Sequence, residues 1–174
     1  MDDIVQERSF EKLTIEDLHR VKELAIEDLK GLYERRSLTG RLYADRLIAL
    51  CLCQGAAEHF VRAGRGVKDF DVWAFFSKHP ARAFPYRRRG TADFGPSRFG
   101  RHPDDTGFSG RRVDVIGRSL QVRDSQTGME AVREWLCSGR TKSARLISLR
   151  PVVILAPEQH LGEVLWDPKT YATT

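Results

Sequence analysis

The sequence predicts a mixed α/β (α+β) domain, a small mixed β-sheet flanked by helices with an N-terminal helix and a long Arg-rich loop. Three observations predict it. A long amphipathic segment at helical spacing opens the patterned part of the chain. Short apolar runs bounded by turn residues follow it, separated by further helical segments. The 174 residues, 41% apolar and 30% charged, suit one domain over 1–174 with a proper core. Its core is expected at about 41–120, its N-terminal helix at 14–36, and a C-terminal helix and strand within 125–167.

Each element has its own warrant. Thr14 followed by Asp17 has the form of an N-cap with an acidic first turn. Ile15, Leu18, Val21, Ala25, Leu29 and Leu32 then recur on one helical face, so a helix is predicted over 14–36. "SLTG" (37–40) ends it. "RLYADRLIALCLCQG" (41–55) reads as a short helical turn and then a buried strand from about Leu47 to Gln54, closed by Gly55. "AAEHFVRAG" (56–64) predicts a helix that packs Ala57, Phe60 and Val61 and stops at Gly64. "DFDVWAFFS" (69–77) predicts the next strand. Residues 79–110 carry little periodicity and much Gly, Pro and Arg, and are expected to form a long ordered loop or flap with room for a short hairpin. "RRVDVIGRSL" (111–120) predicts a strand with Val113 and Val115 on one face and Asp114 on the other. "SQTGMEAVREWLCSG" (125–139) predicts a helix ending at Gly139. "PVVILAP" (151–157) and "GEVLWD" (162–167) predict two last strands.

The bulk composition excludes several classes. Three cysteines cannot make a full disulfide framework, and no CxxC or Cys/His cluster suggests zinc. Cys51, Cys53 and Cys137 are expected as buried reduced thiols. The first nine residues are acidic and polar, and no apolar run approaches a membrane span, so a cytoplasmic protein is expected. The net charge of +5 is too mild to imply nucleic acid by itself.

The charge is unevenly placed, and "KDFDVWAFF" (68–76) sets the problem. Asp69 and Asp71 enter one of the most apolar runs of the chain, and ionised carboxylates near a core need compensation. On a strand the two share one face, leaving Phe70 and Val72 to pack on the other. Two carboxylates so close repel unless a cation sits between them or one is protonated. Magnesium is the natural compensator, since it takes hard oxygen ligands from one or two carboxylates and from substrate phosphates. Asp114 adds a third acid if its strand pairs with 69–76. Gly55, at the turn into the next helix, allows close approach of a ligand, and that helix offers free N–H groups and a positive dipole end to phosphate.

Taken together, "LCQGAAEHF", "KDFDVWAFF" and "RRVDVIGR" resemble the signature of the nucleotidyltransferase superfamily, the DNA polymerase beta-like fold, over residues 47–118. The resemblance implies that Asp69, Asp71 and Asp114 bind two magnesium ions, that Asp114 also helps activate the attacking hydroxyl, and that Gly55 lies against the triphosphate. Ala56 stands where the family has Gly or Ser, so the phosphate contact expected there comes from the backbone N–H alone. The implied activity is transfer of a nucleotidyl group from an NTP to a hydroxyl acceptor: a small molecule, a protein side chain or an RNA end.

The loop supplies the remaining candidates. Arg82, Arg87, Arg88, Arg89, Arg98, Arg101, Arg111 and Arg112 stand against three aspartates, with Phe84, Tyr86, Phe94, Phe99 and Phe108 interleaved. Guanidinium groups suit phosphates and aromatic rings suit bases, so the loop reads as a lid or platform. Arg87, Arg88, Arg89 and Arg112, with Lys68, are the expected phosphate ligands. The alternative is a solvated loop whose phenylalanines form a satellite core. The alternative for the chain is a non-catalytic module of the same fold that binds nucleic acid or a partner protein. A metal-dependent nuclease is a weaker third.

Overall fold

The computed structural model describes residues 7–35, 37–85 and 89–171, with Arg89 described by its backbone alone. Tyr86, Arg87 and Arg88, and the side chain of Arg89, all named above as candidates, lie outside the described residues.

The elements in chain order are α1 (Ile15–Glu34), α2 (Leu38–Tyr43), β1 (Leu47–Cys53), α3 (Gln54–Arg62), β2 (Phe70–Ser77), β3 (Arg89–Asp93), β4 (Arg112–Leu120), α4 (Gly128–Ser138), α5 (Lys142–Ile147), β5 (Val152–Ala156), β6 (Val164–Trp166) and α6 (Pro168–Tyr171). The strands form one mixed sheet in the order β3-β4-β2-β1-β5-β6. β2 and β4 run parallel, and every other neighbouring pair is antiparallel.

The sheet is apolar on both faces, and strand alternation sorts its residues into two cores. Phe70, Val72, Ala74 and Phe76 of β2 join Val113 and Val115 of β4 in the core under α1 and α3. Trp73 and Phe75 of β2 face the other way and meet Val132, Leu136 and Ile147 of α4 and α5. Thr14 and Asp17 close a reciprocal capping box on α1, which turns Leu18, Val21, Ala25, Leu29 and Leu32 into the first core. Thr127 and Glu130 do the same for α4.

Segment 79–110 differs in part from the loop expected of it. It contains β3, an edge strand that pairs antiparallel with β4 from Arg89↔Ile116 to Asp93↔Arg112. Three of its phenylalanines are core rather than a stacking platform: Phe84, Phe94 and Phe99 are all buried in the first core. Phe94 stacks on Phe70 at 5.0 Å and Phe84 on Phe76 at 4.6 Å between ring centroids. The ring of Phe84 lies where a Cβ on Gly117 would be, 2.1 Å away, so only glycine is accommodated at that point of β4. Sequence periodicity also passes over the short helix α5. Of the thiols, Cys51 and Cys53 are buried as expected, but Cys137 is exposed.

Asp93 clasps the far end of this segment. Its carboxylate accepts from the N–H groups of Gly95, Ser109 and Gly110 and from the Ser109 hydroxyl. Burial alone would raise its pKa, but the hydrogen bonds outweigh burial and hold it below the ordinary value. A depressed carboxylate stabilises the fold above its unfolded pKa and loses that contribution as pH falls through its folded one. Asp93→Asn is therefore expected to be less stable than the parent in urea unfolding at neutral pH, with the gap closing below about pH 4. A gap that does not change with pH would show that the charge of Asp93 does not hold the clasp.

Candidate functional site

β2 and β4 place Asp71 directly opposite Asp114, in a register that runs from Phe70↔Val113 to Ser77↔Leu120. Opposed residues of a parallel pair point to the same side of the sheet, about 4.8 Å apart at Cα. Asp69, just before β2, returns to that side. The structure thus brings Asp69, Asp71 and Asp114 together at one end of the sheet. They share the face that carries Trp73 and Ile116.

Compensation comes from Arg112, two residues before Asp114 on the same strand. Its Nε donates to Asp114 Oδ2 at 3.2 Å, and its terminal nitrogens lie 3.7 Å from Asp69 and 3.9 Å from Asp105. One guanidinium therefore stands among three carboxylates. Asp114 is only 1% exposed, which makes this partner matter. Lys68 takes Asp104 at 2.8 Å. Their hydrogen bond holds the Asp104 carboxyl below, and the Lys68 ammonium above, their ordinary values.

Two further residues support this group. Arg111 is 2% exposed and donates to the carbonyls of Phe99, Glu7 and Lys68. Burial pulls its guanidinium below the ordinary value, and Asp69 partly restores it. His102 is also buried, with Nδ1 accepting from the Asp104 N–H and Nε2 3.8 Å from Asp69. Arg111 was legible only as one of the loop's arginines, and His102 had no spacing signal because it reaches the site through a loop.

Facing the acids is the start of α3. It begins at Gln54, two residues earlier than the sequence suggests, so Gly55 and Ala56 lie in its first turn. The left-handed residue of the elbow is Gln54, with φ 62°, and not the glycine. A non-glycine residue there is strained by roughly 1–2 kcal/mol. Arg150 holds it, donating to Gln54 Oε1 at 3.0 Å. Cys53, the N-cap, offers no side-chain hydrogen bond to the first turn. The methyl of Ala56 turns into the first core. Gly55 keeps room for the Arg8 side chain, whose Nη1 would lie 3.2 Å from a Cβ there.

Between the acids and α3 lies a cleft of about 300 Å³. Asp69, Asp71, Lys68, Gly55 and Ala56 line it, joined by Arg8, Arg65 and Arg150. Trp73, Ile116 and Leu146 supply its apolar part. One wall is thus anionic and the opposite wall cationic. Glu58 steadies the cations, with Oε2 3.2 Å from Arg150 and 3.5 Å from Arg65. His59 on the same helix is buried and structural, accepting from the N–H groups of Gly64 and Gly66 through Nδ1. Of the missed cations, Arg65 had a signal, since it stands between two glycines directly before the acid strand. Arg8 and Arg150 arrive from distant segments and had none.

No protein-family model, curated protein or solved structure matches the chain. Among the described residues, no group of three or more His, Cys, Asp or Glu side chains is gathered as a ready metal cage, and no helix is long and apolar enough to cross a membrane.

The central contact is testable as a double-mutant cycle in urea. Arg112→Ala leaves the buried Asp114 carboxylate without its guanidinium and is expected to cost about 2 kcal/mol, somewhat less than a fully buried pair because Arg112 retains partial exposure. Adding Asp114→Asn should recover most of that loss. Strictly additive losses would show that the two side chains are not coupled.

Proposed function

We propose that this protein is a magnesium-dependent nucleotidyltransferase that moves a nucleotidyl group from an NTP to a hydroxyl acceptor. The observation that carries the reading is the register Asp71↔Asp114, with Asp69 on the same face and the first turn of α3 across the cleft. The donor set fits magnesium: Asp69, Asp71 and Asp114 offer hard oxygen atoms only, and such a site needs one or two carboxylates once substrate phosphates complete it. When bound, the metal would neutralise triphosphate charge and favour in-line displacement.

The chain's own residues then divide the remaining work. The first-turn amides of α3, with Arg8, Arg65 and Arg150, bind the triphosphate, the helix end contributing its positive dipole. Trp73, Ile116 and Leu146 give the base or sugar an apolar seat. Asp114, nearly excluded from water, accepts the proton of the attacking hydroxyl. Arg112 keeps the acids paired and would release them to a bound cation.

The same guanidinium also supports the second reading, a module that binds without turnover, because it already compensates the carboxylates. Thermal stabilisation by an NTP separates the two. With the nucleotide at 100 times its dissociation constant, about 2.7 kcal/mol of added stability is expected in magnesium. That gain should disappear on magnesium removal and in Asp69→Asn/Asp71→Asn. An NTP shift indifferent to magnesium and to both substitutions would favour binding by arginines alone.

A further inference from the structure

A second cleft, of about 710 Å³, opens on the same face of the sheet. The C-terminal half of β4 forms its floor, and α4 with the turn into α5 forms its wall. The two clefts adjoin. Ile116 lines the first, and Arg118, two residues farther along β4 and on the same side, lines the second. Trp73 of the first packs on Trp135 of the second with ring centroids 6.1 Å apart, so an indole pair forms the ridge between them.

The charge of this second cleft is one-sided. Lys78, Arg118, Arg123 and Arg140 line it against the single carboxylate of Glu134. Arg123 and Glu134 cancel in a bidentate pair, both contacts at 2.8 Å. Lys78 and Arg140 are exposed and take part in no salt bridge among the described residues. The guanidinium of Arg118 lies 5.0 Å over the ring of Trp135, which joins a cation to an aromatic plane.

We propose that this cleft seats a single-stranded polynucleotide, whose end delivers the acceptor hydroxyl to the acids across the Trp73–Trp135 ridge. Repeating phosphates match cations spread along a groove, and bases match an aromatic and guanidinium surface. An acidic peptide would meet the cations but have no use for the ring, and a small acceptor would need only the first cleft. That the strand is an acceptor rests on the transferase reading; that it binds here does not.

Cys137 makes the proposal testable. It is exposed and lines the second cleft, whereas Cys51 and Cys53 are buried, so a maleimide reports on this position alone. The experiment uses the full chain and a mixed-sequence RNA or DNA strand of about 12 nucleotides, followed by fluorescence anisotropy across a salt series, with Cys137 alkylation timed in parallel. The strand is expected to bind at about 50 mM salt and to protect Cys137. Lys78→Gln/Arg140→Gln, exposed changes outside the first cleft, should weaken binding about tenfold and flatten the log–log salt slope by about 1.4, the loss of two phosphate contacts. The magnesium-dependent NTP shift should be unchanged in that variant. No strand binding at low salt, an unaltered Cys137 rate, equal binding by the variant, or protection by a poly-glutamate peptide in place of the strand would each overturn the proposal. Loss of the NTP shift with strand binding intact would instead remove the transferase reading alone.

Discussion

The parallel pairing of β2 with β4 is the constraint on which the rest depends. Phe70, Val72, Val113 and Val115 lock it by burying their side chains in the core under α1 and α3. A slip of β2 by one residue would turn Phe70 and Val72 away from the first core and Asp71 into it, out of line with Asp114. Burying the four apolar side chains is worth roughly 1.5–3 kcal/mol each, so the register is strongly set, and the meeting of Asp71 with Asp114 follows from it. An acidic site is in this sense a by-product of hydrophobic packing on the opposite face.

The carboxylates gathered in this way cost free energy to assemble, and basic residues offset it. Arg112 answers Asp69, Asp105 and Asp114, and Lys68 answers Asp104. Arg111, buried among backbone carbonyls, ties Glu7, Lys68 and Phe99 to the base of β4. Much of the long segment between β2 and β4 therefore has a structural purpose. Phe84, Phe94 and Phe99 complete the first core, Arg98 pairs with Asp17 at the capped start of α1, and Arg101 binds carbonyls of its own loop. Among the described residues, the positive charge that lines the cleft comes from Lys68, Arg8, Arg65 and Arg150.

The strands and long helices were legible because their signals are local. Thr14 with Asp17 announced α1, and alternation placed Val113 and Val115 opposite Asp114. The shared face of Asp69 and Asp71 followed from their spacing, but their meeting with Asp114 required knowing which strands pair. β3 was hidden because an edge strand of Arg, Gly, Thr, Ala and Asp has no alternating pattern. Gly55 was singled out as a point where a ligand can approach the turn, whereas the left-handed residue of that turn is Gln54, steadied by Arg150 ninety-six positions away. His102 and the second cleft likewise depend on tertiary neighbours that no spacing in the sequence encodes.

The most direct measurement of the central claim is a crystal structure with magnesium and a non-hydrolysable NTP. The account predicts an ion held by oxygen atoms of Asp69 and Asp71, the triphosphate on the first turn of α3 among Arg8, Arg65 and Arg150, and Arg112 displaced from Asp69. Nucleotide bound away from this cleft, or an ion that leaves all three aspartates untouched, would contradict it.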